Sequence, residues 1–278
     1  MDRSTLTAGI YFVSHGARLA IRANDPAVLD RLYQHLPPGW QPISSPIVDT
    51  VYSIIVSSDG LTFYDRRFQL YVDSTPLART TNLDDLCETI EADLHFRVAL
   101  HARQLIFVHA GVVGWQGSAL VIPGRSGTGK TYLVATLVQA GATYYSDEYA
   151  VFDAIGQVCP YPRRLVVRTQ DHERPTKLTV DKLGGHVGTE PLPVRLIMVT
   201  TYRFDAQWRP NMLSPGQAAL ALLDNTVVAR IRPSLALVTL RHVVLGAVAL
   251  NGPRGEAADV VQPMLNLLEK EPFSNPRA

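Results

Sequence analysis

Gly124-Arg125-Ser126-Gly127-Thr128-Gly129-Lys130-Thr131 fits G-x-x-x-x-G-K-[ST], the pattern of a loop that wraps a polyphosphate. In front of it, Ser118-Ala119-Leu120-Val121-Ile122-Pro123 has the composition of a buried strand. Behind it, Leu133, Val134, Leu137 and Val138 recur at helical spacing. Strand, glycine turn and helix is the context that the pattern needs. Glycines at 124, 127 and 129 let the backbone take turns that a side chain would block. The loop N–H groups then face inward at the positive end of the helix dipole. In such a loop Lys130 reaches the β- and γ-phosphates, and the Thr131 hydroxyl is a Mg²⁺ ligand. Nucleotide binding by residues 124–131 is therefore expected, with ATP as donor and Mg²⁺ beside it. GTP and pyrophosphate are not distinguished, because this loop reads phosphates and not bases.

The chain has 278 residues, 26 basic and 25 acidic, for a formal charge of +1. That balance gives no support to a nucleic-acid or membrane-surface partner. A hydrophobic content of 46% suffices for a proper core. Two cysteines, Cys87 and Cys159, make neither a disulfide framework nor a tetrahedral metal site. They fit a reducing compartment. The first residues lack a basic stretch followed by an apolar one, and no run reaches the ~18 apolar residues of a membrane span. A cytoplasmic protein is expected, with homo-oligomerisation left open.

Outward from the loop, the N-terminal side reads as a small α+β region. Residues 9–23 form a hairpin about His15-Gly16, and Asp25-Pro26 opens a short helix. Strands at 51–56 and 68–72 flank a Ser58-Asp59-Gly60 turn. Asn82 caps a helix carrying Leu86, Ile90, Leu94 and Val98. The expected division is an N-terminal module, residues 1–95, with a role in substrate recognition, and a second domain, residues 96–278. In the second, residues 105–113 are a strand, Gly141 ends the loop helix, and residues 142–146 are a strand ending at Asp147-Glu148. Residues 151–153 and 165–168 read as strands, 169–193 as a flexible substrate loop without packed elements, and 194–201 as a buried strand. Ser214-Pro215-Gly216-Gln217 opens a helix through Leu220, Leu223 and Val227. Residues 242–250 read as a last strand and 255–269 as a closing helix.

Phosphoryl transfer needs an acid for the metal and a base near the acceptor hydroxyl. Asp147 and Glu148 offer both: Asp147 can hold Mg²⁺ with Thr131, and either acid can take the proton. Adjacent strand residues point to opposite faces, so a turn is needed to bring both into one site. Among nearby cations, Arg125, Arg163, Arg164 and Arg168 can neutralise a transferred phosphate. Arg168 is preferred because it ends a strand, with Lys177 next. His109 is a polar residue inside an apolar run, either a core histidine or a site residue.

Residues 109–153 resemble the catalytic core of the HPr serine kinase/phosphorylase family, whose P-loop is similar to that of phosphoenolpyruvate carboxykinase. The resemblance rests on His109 in the strand before the loop, Gly141 after its helix, and the acidic pair Asp147-Glu148. It covers about a fifth of the chain. The family pair is Asp-Asp where this chain has Asp-Glu, an E-x-R-G-L-G-I type signature has no counterpart, and the N-terminal region differs from the family's regulatory domain. The resemblance implies an α/β P-loop kinase core with a smaller α+β N-terminal region. It also implies an assisting role for His109 beside the catalytic acid or the phosphates. Family relatives that occur beside peptide-modification genes phosphorylate a serine of a precursor peptide. The expected activity is accordingly ATP- and Mg²⁺-dependent phosphorylation of a serine or threonine in a peptide or small protein. Two other readings are a kinase for a small-molecule alcohol and a nucleotide-dependent switch that transfers nothing.

Overall fold

The computed structural model of the chain describes residues 6–58, 66–125, 127–167 and 176–269. The chain divides into two compact units, Met1–Arg103 and Gln104–Ala278. In the first, β1 (Ala8–Ser14) and β2 (Ala17–Ala23) form a hairpin whose turn residues His15 and Gly16 have φ of 50° and 83°. Positive φ at both positions gives a two-residue turn the twist of its strands. α1 (Pro26–Leu32) starts where the Asp25 carboxylate accepts the Ala27 N–H. β3 (Gln41–Pro42), β4 (Thr50–Ser58), β5 (Arg66–Val72) and β6 (Thr75–Thr80) complete a sheet in the order β3-β1-β2-β4-β5-β6. Only β2 and β4 pair in parallel among these described strands. α2 (Leu83–His101) is capped by Asn82, whose side chain accepts from the N–H groups of Asp84 and Asp85. Leu86, Ile90, Leu94 and Val98 line its buried face. This unit is α+β, as expected. The boundary expected at 95/96 falls inside α2, and a continuous helix belongs to one unit, so the division lies after Arg103. Asp59 and Gly60 of the expected turn lie outside the described residues.

The second unit is a mixed α/β structure. β7 (Ile106–Trp115) and β8 (Ser118–Pro123) form a hairpin through Gln116 and Gly117, at φ 46° and 76°. α3 (Lys130–Gln139) follows residues 124–129. It ends in a left-handed Gly141, with the Gly141 N–H on Val138 O and the Ala142 N–H on Leu137 O, the paired bonds of a glycine-terminated helix. Then come β9 (Thr143–Ser146), β10 (Tyr149–Phe152), β11 (Gln157–Cys159), β12 (Leu165–Val167), β13 (Thr176–Leu178), β14 (Leu192–Val199), β15 (Asn211–Met212), α4 (Pro215–Leu223), α5 (Pro233–Leu245), β16 (Val248–Asn251) and α6 (Ala257–Glu269). The main sheet runs β11-β10-β7-β8-β14-β16-β15, with β9 also on β7. β11 pairs with β14 as well as with β10, so β7, β8, β14, β11 and β10 close into a ring. β14 is parallel to both β8 and β16. α3 and α6 cover one side, packing Leu133, Val134, Leu137 and Val138 with Val260, Val261, Met264 and Leu265. No described helix is long and apolar enough to cross a membrane.

Three expectations change. Residues 169–193 are not a bare loop where they are described: β13, a 3₁₀ turn at Val180–Leu183 and a bridge from Val187 to Tyr144 occupy much of residues 176–193. Residues 168–175 lie outside the described residues. The helix opened by Ser214 stops at Leu223, where Asp224, Asn225 and Thr226 N–H groups take up its last carbonyls. The strand expected at 242–250 is only Val248–Asn251, because residues 233–245 are helical. Val243-Val244-Leu245 favours a strand locally. Burial of Ala236, Thr239, Leu240, Val243 and Val244 along one helical stripe overrides that preference.

Candidate active site

β8 delivers the chain to residue 124 against β7, where the Gly124 N–H bonds to His109 O at 3.1 Å. The Thr128 hydroxyl donates to Arg125 O at 3.0 Å and closes the turn. Gly127 and Gly129 have φ of 87° and 83°, a region that costs an L-side chain ~1–2 kcal/mol. Gly129 is doubly required, because a Cβ there would lie 2.7 Å from a guanidinium nitrogen of Arg254. α3 begins at Lys130 with no side chain capping it, so its first-turn N–H groups are available to an anion. Lys130 Nζ donates to Gly124 O at 2.6 Å and Arg125 O at 2.7 Å. Burial lowers its pKa, opposed by the charges of Glu148 and Asp147.

The acidic pair does not sit in a hairpin turn. β9 and β10 both run antiparallel along β7, with Ser146 opposite Val112 and Tyr149 opposite His109. Asp147 and Glu148 are the bend between them, still tied to β7 by the Ala110 N–H on Glu148 O at 3.0 Å. Ser146 Oγ shapes the bend by accepting from the N–H groups of Glu148 at 3.2 Å and Tyr149 at 3.0 Å. The bend turns both carboxylates to the loop, resolving the opposite-face problem of a straight strand.

Their surroundings differ. Asp147 is 6% exposed, accepts from the Tyr144 hydroxyl at 3.0 Å and shares the cavity wall with Thr131, whose hydroxyl, like that of Tyr144, favours the charged carboxylate. Burial raises its pKa, against the pull of Arg163 and of those hydroxyls. Tyr144 has one phenolic proton and two acceptors in reach, Asp147 Oδ1 and Arg163 O at 2.9 Å. When the proton goes to Arg163 O, the phenol oxygen can accept from a protonated Asp147. Glu148 is 44% exposed, with Oε1 3.5 Å from His109 Nδ1 and Oε2 3.8 Å from an Arg163 nitrogen. Its pKa is lowered, first by His109 and also by Arg163 and Lys130, against burial. His109 lies on the Tyr149 ring at 4.6 Å, and Tyr149, Phe107 and Tyr161 pack edge to face beneath it.

His109, Arg125, Gly127, Gly129, Lys130, Thr131, Tyr132, Asp147, Glu148 and Val166 line one cavity of about 620 Å³. Five expected loop residues (Arg125, Gly127, Gly129, Lys130 and Thr131), the acid pair and the histidine thus converge, whereas Gly124 and Thr128 are not in the cavity wall and Ser126 lies outside the described residues. Arg168 also lies outside them. Lys177 is opposite Val166 in the β12–β13 pair but is not in the cavity wall. Among the described residues Arg163, given lower preference above, lies beside the acids, in the stretch between Tyr161 and β12. Thr131 with Asp147 suits a Mg²⁺ that takes one or two protein ligands and completes its shell with phosphate and water. Among the described residues no cluster of three or more His, Cys, Asp or Glu could hold a metal by itself.

Sequence reading missed Arg254 entirely. It is 1% exposed and follows β16. Its guanidinium donates to Gly129 O at 2.8 Å and Gly255 O at 3.0 Å, and lies 5.7 Å from the Tyr202 ring centroid. With the Leu133 N–H at 3.2 Å it satisfies the Gly129 carbonyl. The Gly252-Pro253-Arg254-Gly255 turn sequence marks the break in the chain, but nothing local marks the contact with residue 129. The chain matches no protein-family model and no curated protein.

Proposed function

We propose that the protein is an ATP- and Mg²⁺-dependent kinase of the HPr-kinase-like class, transferring the γ-phosphoryl group to a serine or threonine hydroxyl of a peptide or small protein. The observation that carries this is the convergence of the uncapped α3 terminus, Lys130, Thr131 and two unlike carboxylates on one cavity. One acid beside the loop serves Mg²⁺ binding alone; a second, with the opposite pKa shift and on the open side of the bend, favours transfer over binding without transfer.

The loop amides and Lys130 bind and orient the phosphate chain. Thr131 and Asp147 would hold Mg²⁺, which would supply positive charge against that of the phosphates. Glu148, held by His109 and Arg163 on the open side of the bend, orients the acceptor hydroxyl. That oxygen forms a bond to the γ-phosphorus as the bond from the γ-phosphorus to the bridging oxygen of ADP breaks. The hydroxyl proton goes to the Glu148–His109 pair. Arg163 and Lys130 offset the charge that spreads over the transferring group. Most of the rate comes from positioning and charge stabilisation.

Intact-mass analysis after incubation with Mg²⁺-ATP and serine-containing peptides tests this. One added phosphate per acceptor is expected, reduced by ~10²-fold or more in Lys130→Ala and Glu148→Gln. Undiminished transfer in Lys130→Ala rules out this site. A parallel incubation with a pool of small alcohols identifies the other acceptor class if it alone is phosphorylated.

A further inference from the structure

We propose that Tyr132 is the stacking platform for the nucleotide base, so that this site reads a planar heteroaromatic base as well as the phosphates. The inference rests on the nucleotide reading of the loop and adds to it. Tyr132 lines the same cavity as Lys130 and Thr131, yet 57% of it is exposed. A large ring on the wall of a site, more than half exposed, is available to a ligand.

Helix geometry says which part of the ligand it meets. Thr131 lines the cavity together with Asp147 and Glu148. One residue further along α3 is a rotation of about 100°, which carries Tyr132 away from the acids. The reacting end of a phosphate chain must lie at Lys130, Asp147 and Glu148. The other end, bearing sugar and base, therefore leaves on the Tyr132 side. The acceptor must approach the acids, so it does not compete for this ring.

A second set of residues marks the same end of the loop. Tyr202, 47% exposed, sends its N–H toward Thr128 O and anchors its hydroxyl on Glu256 Oε1 at 2.8 Å. Arg254 lies against the Tyr202 ring and bonds the Gly129 carbonyl, three residues before Tyr132. Two partly exposed tyrosines thus stand near one buried guanidinium behind Gly129. Aromatic faces beside a cation are the recurrent means of holding a base without demanding one base identity.

Calorimetric titration of the full chain with Mg²⁺-ATP and with Mg²⁺-tripolyphosphate separates base from phosphate. ATP is expected to bind about 10-fold or more tightly than tripolyphosphate, the range of a stacked base. Tyr132→Ala should bring ATP down to the tripolyphosphate level and leave tripolyphosphate where it was. Tyr132→Phe, which keeps the ring, should restore the difference. Equal affinities in the unmodified protein, or an equal loss for both ligands in Tyr132→Ala, would overturn the stacking role while leaving phosphate binding intact. Failure of both ligands to bind would overturn the nucleotide reading itself.

Discussion

At Asp147 and Glu148, burial and charge act in opposite directions on adjacent residues. Asp147 has a folded-state pKa above its ordinary value, so the folded protein binds the extra proton, and stability falls as pH rises through that interval. Asp147→Asn removes the cost of burying the charge. It should therefore unfold at higher urea than the unmodified protein at neutral pH, with the advantage vanishing toward ordinary aspartate pKa values. Glu148 has the reverse sign: its folded pKa is depressed, so its contribution is present at neutral pH and is lost as pH falls through the folded value. Glu148→Gln should be the less stable protein at neutral pH, converging on the unmodified one in acid. Urea unfolding across a pH series checks both, and two curves of the same sign would refute the separation of roles. Arg254→Met removes the guanidinium donor from the Gly255 carbonyl and from the Gly129 carbonyl, which keeps only the Leu133 N–H at 3.2 Å. A loss of about 1–3 kcal/mol in denaturant unfolding is expected.

At the level of elements, the turn from β8 into α3 and the bend from β9 into β10 are where local sequence and tertiary need agree. Gly127→Ala meets only the left-handed backbone, since nothing lies within 4 Å of its added Cβ. About 1–2 kcal/mol is expected. Gly129→Ala meets the same backbone and also Arg254 at 2.7 Å, so it should lower thermal stability further and weaken ATP binding more than Gly127→Ala. Equal effects would mean that Arg254 does not fix the loop. α5 illustrates the opposite case, a segment whose β-branched residues favour a strand and whose burial pattern makes it a helix. Its exposed Leu237, Val238 and Leu245 blur the amphipathic period that would have revealed it.

For the molecule as a whole, all residues lining the cavity belong to the unit Gln104–Ala278, which has its own hydrophobic core. A fragment of residues 104–278 is expected to unfold cooperatively and to bind Mg²⁺-ATP within about threefold of the full chain. Calorimetry on the fragment checks this, and loss of binding would give the first unit a part in the nucleotide site. The loop at 124–131, its flanking strand and helix, the glycine that ends the helix and the acidic pair were all legible in the sequence. Each depends on neighbours a few residues away: a spacing of glycines, a helical period, a strand end. The convergence of those parts was not legible, nor was the position of Arg163 beside Glu148, the closed ring through β11 and β14, or Arg254. Those depend on pairing between distant segments: β10 and residue 225 flanking β7, and residue 254 reaching residue 129. Residue types and local spacing fixed which chemical groups the protein carries and where its backbone must turn. Which of those groups share a cavity, and which of two adjacent carboxylates has its pKa raised and which lowered, followed from the packing, because burial and charge proximity are properties of the packed chain.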